Sequence, residues 1–188
     1  EMLLATTDFN SALCQRAHDI RMAIIQARLT KYNVGQHTWR RPADQASVIL
    51  VPGQVESDAS IRYGAEKICH NMDLLRAVRQ ANPHAWVVYK PHPDVLAGLR
   101  AEGTGENQAK QWCNEVVGEV SIDSIIDQID EMHVLTSLAG FEALLRNVPV
   151  TTYGQPFYAG WGLTRDLMIS PEVASRRVRR LTLDQLIA

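Results

Sequence analysis

The chain has 188 residues, a hydrophobic content of 46% and a net charge of −2, which suffices for one ordinary hydrophobic core. This charge gives no general electrostatic reason to bind nucleic acid or anionic lipid, and no apolar run approaches the length of a membrane span. The cysteines are too far apart to indicate a disulfide framework or a zinc site, and we expect reduced thiols in a cytoplasmic protein.

The first predicted element is a helix over residues 8–31. Its apolar side chains recur at intervals of three and four residues from Leu13 to Leu29, and either Asp8 or Ser11 can cap it. The loop at residues 31–35, which contains Asn33 and Gly35, is predicted to end this helix.

A buried strand is predicted over residues 46–51, followed by a Pro-Gly-Gln turn and a helix running to about residue 80. Ligands of doubly wound folds bind beyond the carboxyl ends of such strands, but no GxGxxG sequence is present, which argues against a dinucleotide enzyme. Ser57 or Asp58 is predicted to cap the helix. The Gln54 amide offers a donor and an acceptor, which would suit a sugar hydroxyl or a cytosine edge.

A second strand, at residues 85–89, leads into Lys90, Pro91, His92 and Pro93. The two prolines fix the backbone around His92 and orient its imidazole at the end of the strand. The pattern alone favours a turn whose prolines merely end the strand. Lys90 adds a positive charge, although a half-exposed lysine usually has no specific role.

Further along, we predict a loop at 101–107, a short helix at 108–117, a short strand at 119–121 and a helix at 124–129 capped by Asp123. The alternation of strands and helices predicts an α/β fold with a Rossmann-like parallel sheet and helices on both faces.

The stretch after the next strand, predicted at residues 132–135, carries the strongest signal for a ligand. Thr136 and Ser137, followed by Gly140, indicate a tight turn into a helix, whose free N–H groups can bind an anion. Glu142 has two interpretations that the spacing leaves open. Either the helix dipole alone favours a carboxylate there, or the carboxylate accepts hydrogen bonds from the two hydroxyls of a ribose.

Three long motifs resemble capsule polysaccharide synthesis proteins that act as β-Kdo transferases. They are TSLAGFEALLRNVPVTTYGQPFYAGWGLT at 136–164, VPGQVESDASIRYG at 51–64 and YKPHPDV at 89–95. Two shorter segments, LTKYNVG at 29–35 and RRLTLDQL at 179–186, extend the resemblance. The resemblance implies the C-terminal, nucleotide-binding half of a GT-B glycosyltransferase that uses CMP-Kdo. We therefore expect residues 1–41 to be a helix and connector that pack on a missing N-terminal half, 42–168 to bind the CMP-sugar, and 169–188 to be a linker and shortened helix.

The resemblance also assigns roles to residues. It implies that His92 stabilises the phosphate of the leaving CMP, whereas a nucleophile or base is expected in the missing half, so this chain alone should transfer no sugar. The loop at 31–35 would border the cleft, although an ordinary connector is the favoured interpretation. The aromatic residues near 158 either close the core or form a cleft wall. The full set of expected substrate-binding residues is Gln54, Asp58, Lys90, His92, Pro93, Thr136, Ser137, Gly140, Glu142, Tyr158 and Trp161.

No cofactor and no metal are expected, because the sequence has no Asp-x-Asp motif and no metal-ligand spacing among its histidines. The expected partners are the CMP-sugar donor, a lipid-linked saccharide acceptor, the N-terminal half and capsule assembly proteins at the inner membrane. The C-terminal arginines could hold the protein on the inner face of that membrane, or could form salt bridges within the protein. The alternative functions are a non-catalytic capsule assembly or export module, and another GT-B-like enzyme such as an epimerase or UDP-sugar transferase.

Overall fold

The computed structural model describes residues 1–32 and 37–188. Within these residues six parallel strands form one sheet in the order β3-β2-β1-β4-β5-β6. The order reverses between β1 and β4, which is the topological switch point of a doubly wound fold. The predicted fold class is confirmed. The strands are β1 Val48–Pro52, β2 Trp86–Lys90, β3 Glu115–Val116, β4 Glu131–Val134, β5 Val150–Thr152 and β6 Arg165–Asp166.

Helices flank both faces of this sheet. The α-helices of the described residues are α1 Met2–Thr6, α2 Ser11–Gln26, α3 Ala59–Gly64, α4 Asn71–Ala81, α5 Pro93–Leu96, α6 Ile122–Ile126, α7 Leu138–Leu145, α8 Pro171–Arg176 and α9 Leu183–Ile187, and a 3₁₀ helix spans Glu106–Gln111.

The core has two layers because the side chains of β1 alternate between the two faces of the sheet. Val48 and Leu50 pack in the layer that contains α6, α7 and α9. Ile49 and Val51 pack in the layer that contains α4. All residues of β1 are buried, which explains its nearly uninterrupted apolar sequence.

The N-terminal helical region differs from the prediction. It forms α1 and α2 rather than one helix, and α2 is capped by the side chain of Asn10, which accepts from the Leu13 N–H at 2.9 Å. Helix α2 ends early because Arg28 adopts a left-handed conformation with φ of 52°. The predicted breakers Asn33 and Gly35 lie outside the described residues. Ala17 is the buried residue of the apolar stripe, whose other members are half-buried or exposed.

The long helix predicted after β1 is divided into α3 and α4. Gly64 ends α3 where its carbonyl oxygen accepts from the Gln155 N–H at 2.7 Å, and its backbone packs so closely on Thr136 that a Cβ would lie 3.0 Å from Cγ2. Asp58 occupies the capping position of α3, but its carboxylate bonds to Arg100 at 2.7 Å instead of to the helix backbone.

Two predictions between residues 108 and 129 are wrong. The strand β3 lies at Glu115–Val116, inside the stretch predicted as a helix, whereas residues 119–121 contribute an isolated bridge between His37 and Val120. Helix α6 begins before Asp123, which is therefore not its cap. Asp123 instead forms a buried ion pair with Arg146, at 2.8 Å.

Candidate functional site

A cavity of about 240 Å³ lies at the carboxyl edge of the sheet, where the loops after β1, β2 and β4 meet. This is the position at which open parallel sheets bind their ligands, beside the reversal of strand order. Two larger hollows, of about 400 and 360 Å³, are more open to solvent, and neither combines basic side chains from several strand ends. The cavity is lined by Thr30, Lys31, Tyr32, Pro52, Gly53, Gln54, Val55, Asp58, Ser60, Lys90, Pro91, His92, Pro93, Ile122, Thr136, Ser137, Leu138, Ala139 and Glu142.

Lys90 is a buried cation at this cavity. It is the last residue of β2, its exposed fraction is 5%, and its ammonium group donates to the Gly118 carbonyl oxygen at 2.9 Å. Burial lowers the pKa of Lys90, and the described part of the chain supplies it with no carboxylate partner within ion-pair distance. A buried charge with only a neutral partner is energetically unfavourable. An anion that enters the cavity would compensate this charge and would therefore bind more favourably.

His92 presents one ring nitrogen to the cavity. Its Nδ1 accepts from the Asp94 N–H at 3.1 Å and thereby caps α5, with Pro93 as the first helical residue. Burial lowers the pKa of His92, which favours the neutral imidazole. Since Nδ1 accepts a hydrogen bond, the single ring proton is on Nε2, and His92 is a hydrogen-bond donor at the carboxyl end of β2.

Gln54 joins two of the loops that form the cavity. Its Oε1 accepts from the Thr136 N–H at 2.9 Å and its Nε2 donates to Thr136 Oγ1 at 3.1 Å. The Gln54 backbone is held in turn by Asn71 through two hydrogen bonds of 2.9 and 2.8 Å. The amide thus fixes the loop after β1 to the loop after β4. Its contact with a sugar or cytosine stays a prediction.

Helix α7 points its N-terminus at the cavity. Ser137 is the capping residue, and its hydroxyl accepts from the Ala139 N–H at 3.2 Å. Both residues line the cavity, so the positive end of the helix dipole contributes to it.

Glu142 lies on the second turn of α7 and lines the same cavity. It is 8% exposed, its Oε1 accepts from the Lys31 N–H at 2.7 Å, and burial raises its pKa. The dipole explanation for Glu142 is therefore weakened, because the effect is concentrated in the first turn. A buried carboxylate in a ligand cavity fits the second interpretation, in which it binds hydroxyl groups.

Three of the predicted site residues lie in the core instead. Tyr158 and Trp161 are fully buried and make hydrogen bonds to the backbone carbonyls of Ser137 and Phe157, respectively. Gly140 faces the Tyr158 hydroxyl and leaves no room for a Cβ there. The small residue at 140 is thus required by packing of an aromatic side chain, and not by approach of a ligand. Asp58 and Thr136, by contrast, are in the cavity wall.

The sequence interpretation missed Lys31 and Tyr32. Both line the cavity, although the loop that contains them was interpreted as an ordinary connector. The signal that could have identified them is the family resemblance, which places this loop at the cleft.

The C-terminal arginines make contacts within the chain. Arg176 and Arg177 pair with Glu1 at 2.6 and 2.7 Å, and Arg179 donates to the Thr7 carbonyl oxygen at 3.0 Å. These contacts favour the salt-bridge interpretation of the cluster. No helix in residues 1–32 and 37–188 is long and apolar enough to cross a membrane.

A family model described as capsule polysaccharide biosynthesis protein matches residues 15–187. This chain belongs to that family. Two relatives are the capsule polysaccharide modification protein LipA of Neisseria meningitidis serogroup A, 46% identical over 188 residues, and the lipopolysaccharide-processing protein LpsZ of Rhizobium meliloti, 42% identical over 181 residues. The alignments cover 100% and 95% of this chain, but only 26% of LipA and 40% of LpsZ.

Two solved structures are similar to this chain along nearly its whole length. Thermosulfurimonas dismutans KpsC, described as a beta Kdo 2,7 transferase, has a TM-score of 0.80 and 40% identity, and the match covers 98% of this chain and 55% of KpsC. A second KpsC structure from that organism, described as a beta Kdo 2,4 transferase, has a TM-score of 0.81 and 28% identity, covering 96% of this chain and 55% of its own. This member of the capsule family thus corresponds to about half of those transferase chains.

Proposed function

We propose that this chain is the donor-nucleotide-binding half of a glycosyltransferase that transfers Kdo from CMP-Kdo to a lipid-linked acceptor in capsular polysaccharide biosynthesis. The observation that carries the proposal is one cavity, at the switch point of the sheet, lined both by Lys90, whose buried ammonium has no carboxylate partner among the described residues, and by His92 with its Nε2 donor. Membership of the capsule family and the likeness to KpsC transferases support the choice of reaction.

The chemistry of the donor explains why these groups are placed together. Transfer breaks the bond between the anomeric carbon and a phosphate oxygen of CMP, and the electron pair of that bond stays on the phosphate. Lys90, the Nε2–H of His92 and the N-terminus of α7 can each stabilise that negative charge. A single phosphate would match this compact group of donors, which is why we favour CMP over UDP.

The other end of the nucleotide would be bound by Glu142. A carboxylate has about four acceptor positions, so the bond from the Lys31 N–H leaves capacity for ribose hydroxyls. We assign no nucleophile or catalytic base within this chain. We therefore expect no sugar transfer by the 188-residue chain alone, and we place the complete enzyme in the cytoplasm or on the inner face of the inner membrane.

Calorimetric titration of the chain with CMP, and with UMP, UDP and NAD for comparison, tests the proposal. We expect CMP to bind best, and His92→Ala to weaken CMP binding by about tenfold or more, because a hydrogen bond to a charged group is lost. The matched control is His84→Ala, at an exposed histidine that does not line the cavity.

Two results would count against the proposal. Equal binding of CMP by the native chain and the His92→Ala variant would show that His92 does not bind the phosphate. A folded chain that binds none of the four nucleotides would favour the alternative of a non-catalytic assembly module.

A further inference from the structure

Two neighbouring residues contact both side chains that we assign to the ends of the nucleotide. The Lys31 N–H donates to Glu142 at 2.7 Å, and the Tyr32 hydroxyl lies 3.1 Å from His92 Nε2. The rings of Tyr32 and His92 also meet edge to face, with centroids 5.3 Å apart. The Lys31 ammonium lies 4.7 Å from the centre of the Tyr32 ring. One short segment thus engages the site assigned to ribose and the site assigned to phosphate.

The protonation of the His92 ring determines which atom donates in the contact with Tyr32. Nδ1 accepts from the Asp94 N–H, so the neutral ring has one proton, on Nε2. In the ligand-free protein that proton is directed at the Tyr32 oxygen. A phosphate oxygen that accepts a direct, linear hydrogen bond from Nε2 has to take the place of this oxygen.

The cavity is slightly smaller than most small-molecule sites, as expected if the Tyr32 side chain takes up part of the space for the ligand. Its volume of about 240 Å³ is just below the roughly 300–1,000 Å³ of small-molecule sites, and Lys31 and Tyr32 are part of its wall. Tyr32 is 37% exposed, so its ring can rotate toward solvent without leaving a void in the core.

We propose that Tyr32 is a positioning residue that holds the His92 imidazole in the ligand-free protein and is displaced from Nε2 by the phosphate of the incoming nucleotide. The inference rests on the proposed function, because it takes His92 as the phosphate donor. It adds that the Tyr32 hydroxyl competes with phosphate for a single proton. Lys31, bonded to Glu142 through its backbone, remains at the ribose end while the tyrosine side chain moves.

The substitution Tyr32→Phe tests this competition, because it keeps the ring and removes only the hydroxyl. We expect CMP to bind about two- to tenfold more tightly, the equivalent of one intramolecular hydrogen bond, and cytidine, which has no phosphate, to bind with unchanged affinity. In a His92→Ala background the same substitution should have no effect on CMP affinity. Tyr63→Phe, at an exposed tyrosine outside this cavity, is the control.

A second measurement separates this inference from the nucleotide assignment. The Nε2 resonance of His92 is followed by NMR of histidine-labelled chain while inorganic phosphate is added. Tyr32→Phe should shift this resonance in the free chain, and saturating phosphate should bring both forms to a common position. If phosphate acts in this way but CMP does not bind, the competition between the Tyr32 hydroxyl and phosphate for His92 Nε2 stands, and the assignment of CMP as the nucleotide falls.

The inference is overturned if the native chain binds CMP and Tyr32→Phe weakens that binding or leaves it unchanged, if cytidine gains as much affinity as CMP, or if phosphate leaves the Nε2 resonance of the native chain unmoved. Failure of both CMP and phosphate to reach His92 would overturn the inference and the proposed function together.

Discussion

Glu142 keeps a carboxylate where burial works against its charge. Burial raises its pKa above the ordinary value of 4.5, while the Lys31 N–H and Arg146 partly offset this effect. The folded protein therefore holds a proton on Glu142 more tightly than the unfolded chain does. The resulting stabilisation is present below pH 4.5 and is lost as pH rises through the raised pKa. At neutral pH the charged form thus opposes folding.

Replacing Glu142 with Gln should therefore stabilise the protein at neutral pH and impair its binding. We expect Glu142→Gln to raise the melting temperature at pH 7, a difference that vanishes near pH 4, and to weaken binding of CMP through its ribose. Thermal unfolding at both pH values and calorimetric titration measure the two effects. Glu119→Gln, at an exposed position, is the control. A lower melting temperature at pH 7 would show that the carboxylate contributes more to stability than its burial takes away.

Lys90 predicts a pH dependence of binding, whereas Glu142 predicts one of stability. Because burial lowers its pKa below the ordinary 10.5, Lys90 loses its proton earlier than an exposed lysine as pH rises. A bound phosphate favours the protonated form, so we expect CMP affinity to fall as pH rises toward 10.5, with proton uptake on binding at the higher pH. Titration in buffers of different ionisation enthalpy measures both quantities.

The variants sharpen this prediction. Lys90→Met should bind CMP weakly at pH 7 and show no further loss as pH rises, whereas Lys67→Met, at an exposed lysine, should behave as the native chain. A native affinity that stays constant up to pH 10.5, without proton uptake, would argue against Lys90 as the titrating group.

At the scale of elements, helices α6 and α7 are joined by a buried ion pair. Asp123 of α6 and Arg146, which follows α7, have side chains only 9% and 5% exposed, and the 2.8 Å contact holds the helix that bears Glu142. The exposed Arg28 also contacts Asp123, at 2.6 Å, but its side chain is 58% exposed. Removing one partner of a buried pair leaves an uncompensated charge, whereas removing an exposed partner changes little.

Arg146→Met should thus destabilise the protein by about 2–4 kcal/mol, with Arg28 compensating for part of the usual loss. Arg28→Ala should change the free energy of unfolding by less than about 1 kcal/mol. Urea denaturation measures both values. Comparable losses in the two variants would mean that burial does not distinguish the two arginines.

The elements also show what the sequence could predict. Strand β1 is recognisable because both of its faces are buried, so its side chains have to be apolar whichever way they point. Boundaries set by distant contacts are not recognisable in this way. Helix α3 ends where Gly64 meets Gln155, and Asp123 is used by Arg146 rather than as a cap. Neither partner is near in sequence, so local pattern carried no information about either.

At the scale of the whole molecule, the C-terminal segment belongs to the same core as the sheet. Leu186 of α9 is 8% exposed and packs in the layer that contains Val48 and Leu50, while α9 contacts α2. Arg21 of α2 pairs with Asp184 of α9 at 2.9 Å. These contacts do not test the predicted domain boundaries at residues 41 and 168. A common core nevertheless predicts that the C-terminal segment and the sheet unfold cooperatively.

Leu186→Ala should destabilise the whole protein by about 2–3 kcal/mol in a single transition, because it opens a cavity in the shared core. Val178→Ala, at a residue that is 73% exposed, should stay within about 0.5 kcal/mol of the native chain. Circular dichroism and tryptophan fluorescence should report coincident unfolding curves. An early, separate transition in Leu186→Ala would mark residues 169–188 as an independent unit.

The candidate site was predictable only in part, because some of its residues are brought together by the tertiary structure and not by their position after a strand. His92, Ser137 and Glu142 follow strand ends, and parallel strands necessarily bring their carboxyl ends to one edge. Tyr32 follows no strand, and only the tertiary structure places it against His92. Tyr158 and Trp161 also follow a strand end, but the chain turns inward there and buries them.

The hydrogen bond from the Asp94 N–H to His92 Nδ1 bears on how the protein would respond to acid. A histidine commonly gains charge under mild acidity, but here a second ring proton would be directed at an N–H group and would require the cap of α5 to break. Burial, which lowers the pKa of His92, also opposes a charged ring. Acidification should consequently change the recognition of a phosphodiester by this nitrogen less than it changes recognition by an exposed histidine.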